Sequence, residues 1–331
     1  MLAETQNPRI RVPVPISSVD LCASTLSAVL IVSICALQIL ILLVPKFIFF
    51  SSRGMDDRTA EGGAQRPPSK PADQQHVDEE KERTLRVILA QSPFWIIAVA
   101  LVMLTGTLRR WNDADYLVFS TTVAAPSILF PALLPSRRTA GRPWWQSYWF
   151  KLNLWVAIVV AFGTYFGTHY FFDLMGMRYA FDVRWNFGSD VLGHSGQAVP
   201  VFMYPLTHAY FMSYFAFLMV AERAIVRRLG LEGAMRAVAV LGLAYALAFA
   251  ETFFMASELL SDLFAYASRE RMLKIGSFGY ASYFIVGLPM VRRIDRGGEP
   301  WPIERVVMEA LATCMGILVL LEVWAKAVGP L

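Results

Sequence analysis

Eight long apolar runs divide this sequence and restrict what the chain can fold into. A membrane-spanning helix needs about 20 mainly apolar residues, and in lipid only helices and closed barrels satisfy their own backbone hydrogen bonds. Hydrophobic residues make up 56% of the chain and charged residues only 17%, whereas charged residues are about a quarter of a typical soluble protein. The sequence therefore predicts an all-α, polytopic transmembrane bundle with about eight membrane helices. The runs cover roughly residues 21–45, 93–109, 116–135, 153–175, 200–222, 235–257, 276–291 and 304–325.

Residues 51–85 differ sharply in composition from the rest of the chain. They are rich in Gly, Pro, Gln and charge and have almost no large apolar side chain, so they cannot bury enough surface to offset the entropy of ordering. We expect a disordered linker here. It separates residues 1–50, an N-terminal tail with an extra transmembrane helix, from a membrane-embedded catalytic bundle at 86–331. The first run is longer than a signal-peptide core and lacks a clear cleavage site, which favours a retained helix.

The basic residues are unevenly placed between the predicted helices. Connections that follow the odd-numbered helices carry two thirds of the 30 Lys and Arg residues. Cytosolic loops carry this kind of excess. The pattern predicts a multi-pass protein whose basic loops are cytosolic and whose two termini lie on the far side of the membrane.

Several common functional motifs are missing. The three cysteines lie in apolar runs without metal-ligand spacing, and the four histidines form no histidine box. No Gly-rich phosphate loop and no nucleic-acid reading module is present. We therefore expect no metal, no cofactor and no nucleic-acid partner.

Four ionisable side chains fall at a similar depth in the predicted bundle. From a rise of 1.5 Å per residue, His169 and Glu251 lie about 24 Å from the basic side, His208 about 21 Å and Glu322 about 27 Å. An ionisable group inside a membrane is costly, and it is a functional-site hypothesis by default. Four of them from four helices suggest one shared polar cavity.

Glu251 is the strongest candidate among these four. It lies in the apolar stretch LAYALAFAETFFMAS with no basic residue within a helical turn. We expect its carboxyl to be neutral or hydrogen-bonded, as a general acid in an apolar site must be.

The other three groups have ordinary explanations as well. A lone histidine such as His208 is more often a hydrogen-bonded structural residue, and Glu322 can pair with Lys326 one turn later. Two histidines and a glutamate are also a possible metal set. However, they lie on separate helices without paired His-x-x-x-His spacing.

Several short strings together resemble the cycloeucalenol cycloisomerase family. The resemblance covers about residues 90–328 in one order, while residues 1–85 are an addition to the family's usual length and 258–271 is longer than its pattern. The strings are YWFKLNLW at 148–155, YFGTHYFF at 165–172, LTH at 206–208, Glu251-Thr252, YFIVGLPM at 283–290 and Glu322-x-Trp324.

The resemblance implies an isomerase of sterol biosynthesis in the endoplasmic reticulum membrane. Such an enzyme opens the 9β,19-cyclopropane ring of cycloeucalenol and gives the Δ8 sterol obtusifoliol, without a cofactor. An acid protonates C19, aromatic faces within about 6 Å stabilise the C9 cation, and a base takes the proton from C8. We assign Glu251 as the acid with His169 or His208 as its partner, although the spacing leaves open which of the three is the acid. The expected substrate contacts are Trp155, Tyr165, Tyr170, Phe172, Tyr283 and Glu322.

Two other functions fit the same pattern. A non-enzymatic sterol or lipid carrier needs the apolar slot but no acid. A proton-coupled transporter would use Glu251 and His169 as a relay, but the inverted repeats typical of transporters are not seen. A cyclopropyl sterol and membrane lipid are the expected partners, and the sequence leaves the oligomeric state open.

Overall fold

Seven helices build the part of the chain that the structure describes. This structure is a computed structural model, and it describes residues 72–134, 143–297 and 300–329. The predicted helix at 21–45 lies outside these residues. The helices are α1 (Ala72–Leu104), α2 (Asp113–Leu133), α3 (Tyr148–Met175), α4 (Met203–Leu229), α5 (Gly233–Met255), α6 (Arg269–Arg271 continuing through Met272–Gly276 to Ser277–Val291) and α7 (Ile303–Val328).

Six of these helices are long and apolar enough to cross a membrane. They are α1 to α5 and α7, with the first counted from His76. The seventh, α6, has a shorter apolar part but coincides with the predicted run at 276–291. The prediction of an all-α polytopic bundle is therefore confirmed, and the count of about eight is approximate.

Helix α1 begins earlier than the sequence suggests. Residues 72–85 were expected to belong to the linker, but they form the first turns of α1. These turns pack against the bundle: Val77 and Leu85 are buried, and Lys81 Nζ donates to the carbonyls of Arg292 and Ile294 at 2.9 and 3.1 Å. Tertiary contacts thus order a segment whose composition alone indicates a solvated chain. The rest of the predicted division into tail, linker and bundle stays a prediction.

Buried ion pairs hold one end of the bundle together. Lys151 Nζ, at the start of α3, donates to both carboxylate oxygens of Asp295 at 2.9 Å. Glu222 in α4 is buried and accepts hydrogen bonds from Arg236 and Arg292, both at 2.6 Å. The connections between α2 and α3, α4 and α5, and α6 and α7 therefore lie at the same end.

Short strands and loops close the other end. Residues 176–202, here the far-side loop, connect α3 to α4, and residues 256–268 connect α5 to α6. Arg178–Tyr179 (β1) pairs antiparallel with Phe264–Ala265 (β4), and Asn186–Phe187 (β2) with Val199–Pro200 (β3). The connections thus alternate between the two ends of the bundle, as expected for successive helices that cross a membrane.

The inner helices α3, α4 and α6 pack through aromatic side chains and glycines. Trp155 is completely buried, and its ring packs edge-to-face on Phe215 with centroids 5.2 Å apart. A Cβ atom on Gly287 would lie 2.6 Å from the Phe215 ring, so α6 needs glycine there to approach α4. Trp155 is therefore a core residue of the bundle.

Candidate functional site

The Glu251 carboxyl lies near the far-side end of α5, among hydroxyl groups. The phenols of Tyr214 in α4 and Tyr280 in α6 lie close enough to interact with it. The Oε2 atom is buried and has no partner among the described residues. Burying a carboxyl is tolerated only when hydrogen bonds compensate for lost water. The two phenols are the groups that offer such bonds here, and the unpartnered Oε2 is available to act on a bound molecule.

A cavity adjoins this carboxyl, and we call it the central cavity. Among its described lining residues there is no Lys, Arg, His or Asp, and Glu251 supplies the one carboxyl. Its walls are Val160, Gly163, Thr164, Thr168, Phe171, Met177, Tyr179, Met203, Thr207, Tyr210, Phe211, Glu251, Thr252, Met255, Tyr266, Met272, Tyr280 and Tyr283.

Two glycines in α3 shape one wall of the central cavity. Gly163 and Gly167 delimit a π-helical turn, and the ring of Tyr283 from α6 lies over both. A Cβ on Gly163 would come within 2.5 Å of Tyr283 Cε1, and one on Gly167 within 1.9 Å of its hydroxyl. The Tyr283 hydroxyl donates to the Gly163 carbonyl at 3.2 Å. Gly163 and Gly167, spaced as a GxxxG pattern, thus form a packing notch for one side chain. The notch places Tyr283 in the cavity wall.

Two tyrosines outside the helices cover the cavity from the far side. Tyr179 comes from the far-side loop, and Tyr266 comes from the α5–α6 connection. Burial raises the pKa of both phenols above the ordinary value, and the nearby Glu251 carboxylate contributes to the shift. Both phenols therefore remain protonated and keep a hydroxyl proton near the site.

His208 does not line the central cavity, although its neighbour Thr207 does. The His208 ring is buried, and Nε2 lies 3.0 Å from Asn153 Oδ1 in α3. The Asn153 amide group in turn donates to the Trp149 carbonyl at 2.9 Å. Since an amide oxygen only accepts, Nε2 is the donor. In this structure His208 joins α3 to α4.

His169 faces a different space from Glu251. Its ring lines a cavity of about 1,300 Å³ between α3, α7 and the far-side loop, which we call the peripheral cavity. Gly193 of that loop covers the ring, since a Cβ there would lie 2.3 Å from His169 Nδ1. Both ring nitrogens are buried without a partner among the described residues. The two cavities share one wall residue, Met177.

Three of the expected substrate contacts also lie at the peripheral cavity. Tyr170 donates to Glu322 Oε2 at 3.0 Å, Glu322 pairs with Lys326 at 3.4 Å, and the Phe172 ring packs edge-to-face on His169. All three line this space with His169.

The remaining expected contacts divide between three places. Tyr165 donates to the Gly188 carbonyl of the far-side loop at 3.0 Å. Trp155 lies in the helix core, away from both cavities. Tyr283 lines the central cavity with Glu251. The structure thus brings Tyr283 to Glu251 but does not bring the two histidines into the same cavity. The roles predicted for these residues in turnover stay predictions.

The sequence reasoning missed the tyrosines that surround the carboxyl. One signal was present: Tyr210 and Tyr214 are four residues apart in an apolar helix, and Tyr280 and Tyr283 are three apart, so each pair shares a helix face. Polar aromatic residues repeated on one face of a membrane helix indicate a polar lining. Their convergence on Glu251 depends on packing of α4, α5 and α6.

Comparison with known proteins places the chain in a family. No family model matches the sequence, and no solved structure matches it. It is 30% identical over 254 residues to cycloeucalenol cycloisomerase of Arabidopsis thaliana, which covers 73% of this chain and 85% of the plant protein. This chain belongs to the cycloeucalenol cycloisomerase family.

Proposed function

We propose that this protein is a sterol isomerase that opens the 9β,19-cyclopropane ring of cycloeucalenol-type sterols in the endoplasmic reticulum membrane. The product is a Δ8 sterol, obtusifoliol when the substrate is cycloeucalenol. The observation that carries the proposal is a carboxyl, Glu251, that lines a cavity with no other charged side chain among its described walls, inside a bundle of apolar helices. The relative's name supplies the substrate class.

The proposed reaction consists of two proton transfers. Glu251 gives its proton to C19, the C9–C19 bond supplies the electron pair, and C19 becomes a methyl group. The cation left at C9 then loses the C8 proton, whose bonding electrons form the Δ8 double bond. One proton enters and one leaves, with no net oxidation, so the balance calls for no cofactor.

Aromatic rings of the central cavity are suited to the cation at C9. Electron-rich faces attract a cation within about 6 Å of the ring centroid. Tyr210 and Phe211 from α4 and Tyr280 and Tyr283 from α6 all line the space beside Glu251. These rings take the place that the sequence analysis gave to Trp155 and the aromatic residues of α3.

The C8 proton has two candidate acceptors, the Glu251 carboxylate and a histidine. The Glu251 carboxylate, once it has given its proton, lies at the cavity and is the nearest base among its described lining residues. The sequence analysis gave a relay role to His169 or His208. Neither ring lines the central cavity, so we assign both transfers to Glu251 and its tyrosine partners.

A test of the function is expression of the full chain in yeast, addition of cycloeucalenol to the microsomes, and analysis of sterols by mass spectrometry. Accumulation of obtusifoliol is expected, and in ²H₂O the product should carry one deuterium in its C19 methyl group. A folded protein that binds cycloeucalenol but converts none would contradict the proposal and favour a carrier.

The role of Glu251 is tested with Glu251→Gln, which keeps the shape but removes the acid. We expect turnover to fall by about a hundredfold or more, the usual contribution of a general acid. Glu258→Gln is the matched control, because it makes the same change at an exposed carboxyl. Near-wild-type turnover of Glu251→Gln would remove Glu251 as the acid.

A further inference from the structure

A second cavity reaches the Glu251 carboxyl from between two outer helices. We call it the lateral cavity. Glu251, Tyr210 and Met255 line both this space and the central cavity. Glu251 therefore borders both spaces.

The inner wall of the lateral cavity is firmly held. Trp95 of α1 packs against the rings of Tyr210 and Tyr214 in α4, with centroids 4.7 and 6.5 Å apart. The Trp95 indole donates to the Ser213 hydroxyl at 2.8 Å. Helix α1 is thus fixed to α4 at this level, and the wall behind the carboxyl is rigid.

The two flanks of the lateral cavity are apolar and do not close against each other. Helices α1 and α5 each pack on α4, but close contacts between α1 and α5 are few in the described chain. Two of the six flanking residues are alanines, which leaves the gap wide. The flanks are Ile96, Val99 and Ala100 of α1 and Leu247, Ala250 and Phe254 of α5.

The gap lies beside surfaces that face lipid. Next to the flanking residues, Ile97 and Leu101 of α1 are 49% and 57% exposed, and Phe249 of α5 is 38% exposed. Both helices qualify as membrane spans. Apart from Glu251, no charged side chain lines the cavity among the described residues. A molecule in the gap therefore meets hydrocarbon outside and a carboxyl inside.

We propose that the lateral cavity is the route by which a sterol moves from the bilayer to Glu251. This inference rests on the proposed function and adds the path and the residues that form it. A sterol is dissolved in the bilayer, and passage between α1 and α5 spares it contact with water. Its ring system then meets the carboxyl that borders both the lateral and the central cavity.

Bulky substitutions in the gap test the route. Ala250→Trp fills the gap from α5, and Ala100→Trp fills it from α1. The matched control is Ala246→Trp, one turn earlier on α5, where the side chain is exposed and lines neither cavity. With cycloeucalenol in liposomes, kcat/KM of each gap variant should fall by about tenfold or more relative to the control. Equal kcat/KM in Ala250→Trp and Ala246→Trp would overturn the route.

Photochemical labelling tests the route without relying on turnover. A cyclopropyl sterol with a diazirine in its side chain is incorporated into liposomes that contain the full-length Glu251→Gln protein, and adducts are mapped by mass spectrometry. Adducts on 95–100 and 247–254 are expected, and Ala250→Trp should remove them. Labelling confined to the far-side loop would overturn the proposal. If the wild-type protein shows no turnover, the proposed function fails, while the adduct pattern still decides whether the gap admits a sterol.

Discussion

The hydroxyls of Tyr214 and Tyr280 beside Glu251 can be removed with little change in packing, so their effect on catalysis can be measured separately from their effect on stability. Tyr280→Phe and Tyr214→Phe keep the ring and remove only the hydroxyl that can bond to the carboxyl. We expect each to lower turnover of cycloeucalenol by about tenfold, because a hydrogen bond to a charged group contributes roughly 1.5–3 kcal/mol. Initial rates at saturating sterol provide the measurement.

Two comparisons give that prediction its control. Tyr245→Phe makes the same change in α5 at a ring that packs on Phe249 and Phe278 and lines neither cavity. It should leave the rate unchanged. In the Glu251→Gln background, Tyr280→Phe should cost nothing further, because residues that act as one unit are not additive. Additive losses would mean that Tyr280 acts independently of Glu251.

His208 gives a stability prediction at the residue scale. His208→Ala removes the partner of the Asn153 amide oxygen, which then stays buried and unpaired. Such a loss costs about 1–3 kcal/mol, so the melting temperature in detergent should fall. Asn153→Ala should have a similar effect, and the double variant should lose less than the two single losses combined. An unchanged melting temperature with lost turnover would instead favour the catalytic role suggested by the sequence.

At the residue scale, the sequence revealed which carboxyl is unusual but not what surrounds it. Glu251 could be singled out because no basic residue lies within a turn of it. Depth in a membrane follows from counting residues along a helix, and it placed His169 and Glu251 at one level. Direction around the bundle does not follow from counting, and His169 in fact faces the peripheral cavity. The two tyrosine partners come from other helices, so only their own spacing hinted at them.

At the element scale, the notch formed by Gly163 and Gly167 determines where α6 presents Tyr283. Gly167→Ala should be harmful, because its Cβ would lie 1.9 Å from the Tyr283 hydroxyl. Overpacking of this kind costs about 1–3 kcal/mol, and the melting temperature should fall with the rate. Gly242→Ala in α5 is the control. Nothing lies within 4 Å of its added Cβ, so it should be neutral or slightly stabilising.

A double variant shows whether the clash is the cause. Tyr283→Phe removes the hydroxyl that the new Cβ would meet, at the cost of the hydrogen bond to the Gly163 carbonyl. The pair Gly167→Ala and Tyr283→Phe should therefore be more stable than Gly167→Ala alone, a coupling that a double-mutant cycle measures. If Tyr283→Phe gives no rescue, the notch has another function.

The same scale shows where composition misleads. The spacing of Gly163 and Gly167 is the GxxxG pattern typical of a close approach of helices, and the structure puts the Tyr283 side chain there. The charged segment at 72–85 indicated a linker, yet it forms the start of α1. Its partners are far away in sequence: Glu80 accepts a hydrogen bond from the Tyr148 amide at 2.7 Å. Composition reports what a segment can bury by itself, and it does not report the contacts that other helices offer.

At the scale of the whole molecule, the distribution of Lys and Arg and the arrangement of the connections distinguish the same two ends of the bundle. The connections rich in Lys and Arg are the ones joined by buried ion pairs, through Asp295 and Glu222. The opposite end carries the far-side loop and its short strands. The positive-inside rule then predicts that the ion-paired end faces the cytosol. The geometry of the bundle alone does not distinguish the cytosolic end from the other end.

Cysteine labelling in sealed microsomes tests this orientation. Arg228→Cys lies at the exposed, ion-paired end of α4, and Val191→Cys lies in the far-side loop, where Val191 is 80% exposed. Cys22 and Cys35 are replaced by Ser, and Cys314 is buried. A membrane-impermeant maleimide should modify Arg228→Cys at once but Val191→Cys only after permeabilisation. The reverse pattern would show that the bundle is inverted, which places the far-side loop and the peripheral cavity in the cytosol. Labelling of both before permeabilisation would show that these two ends do not lie on opposite sides of the membrane.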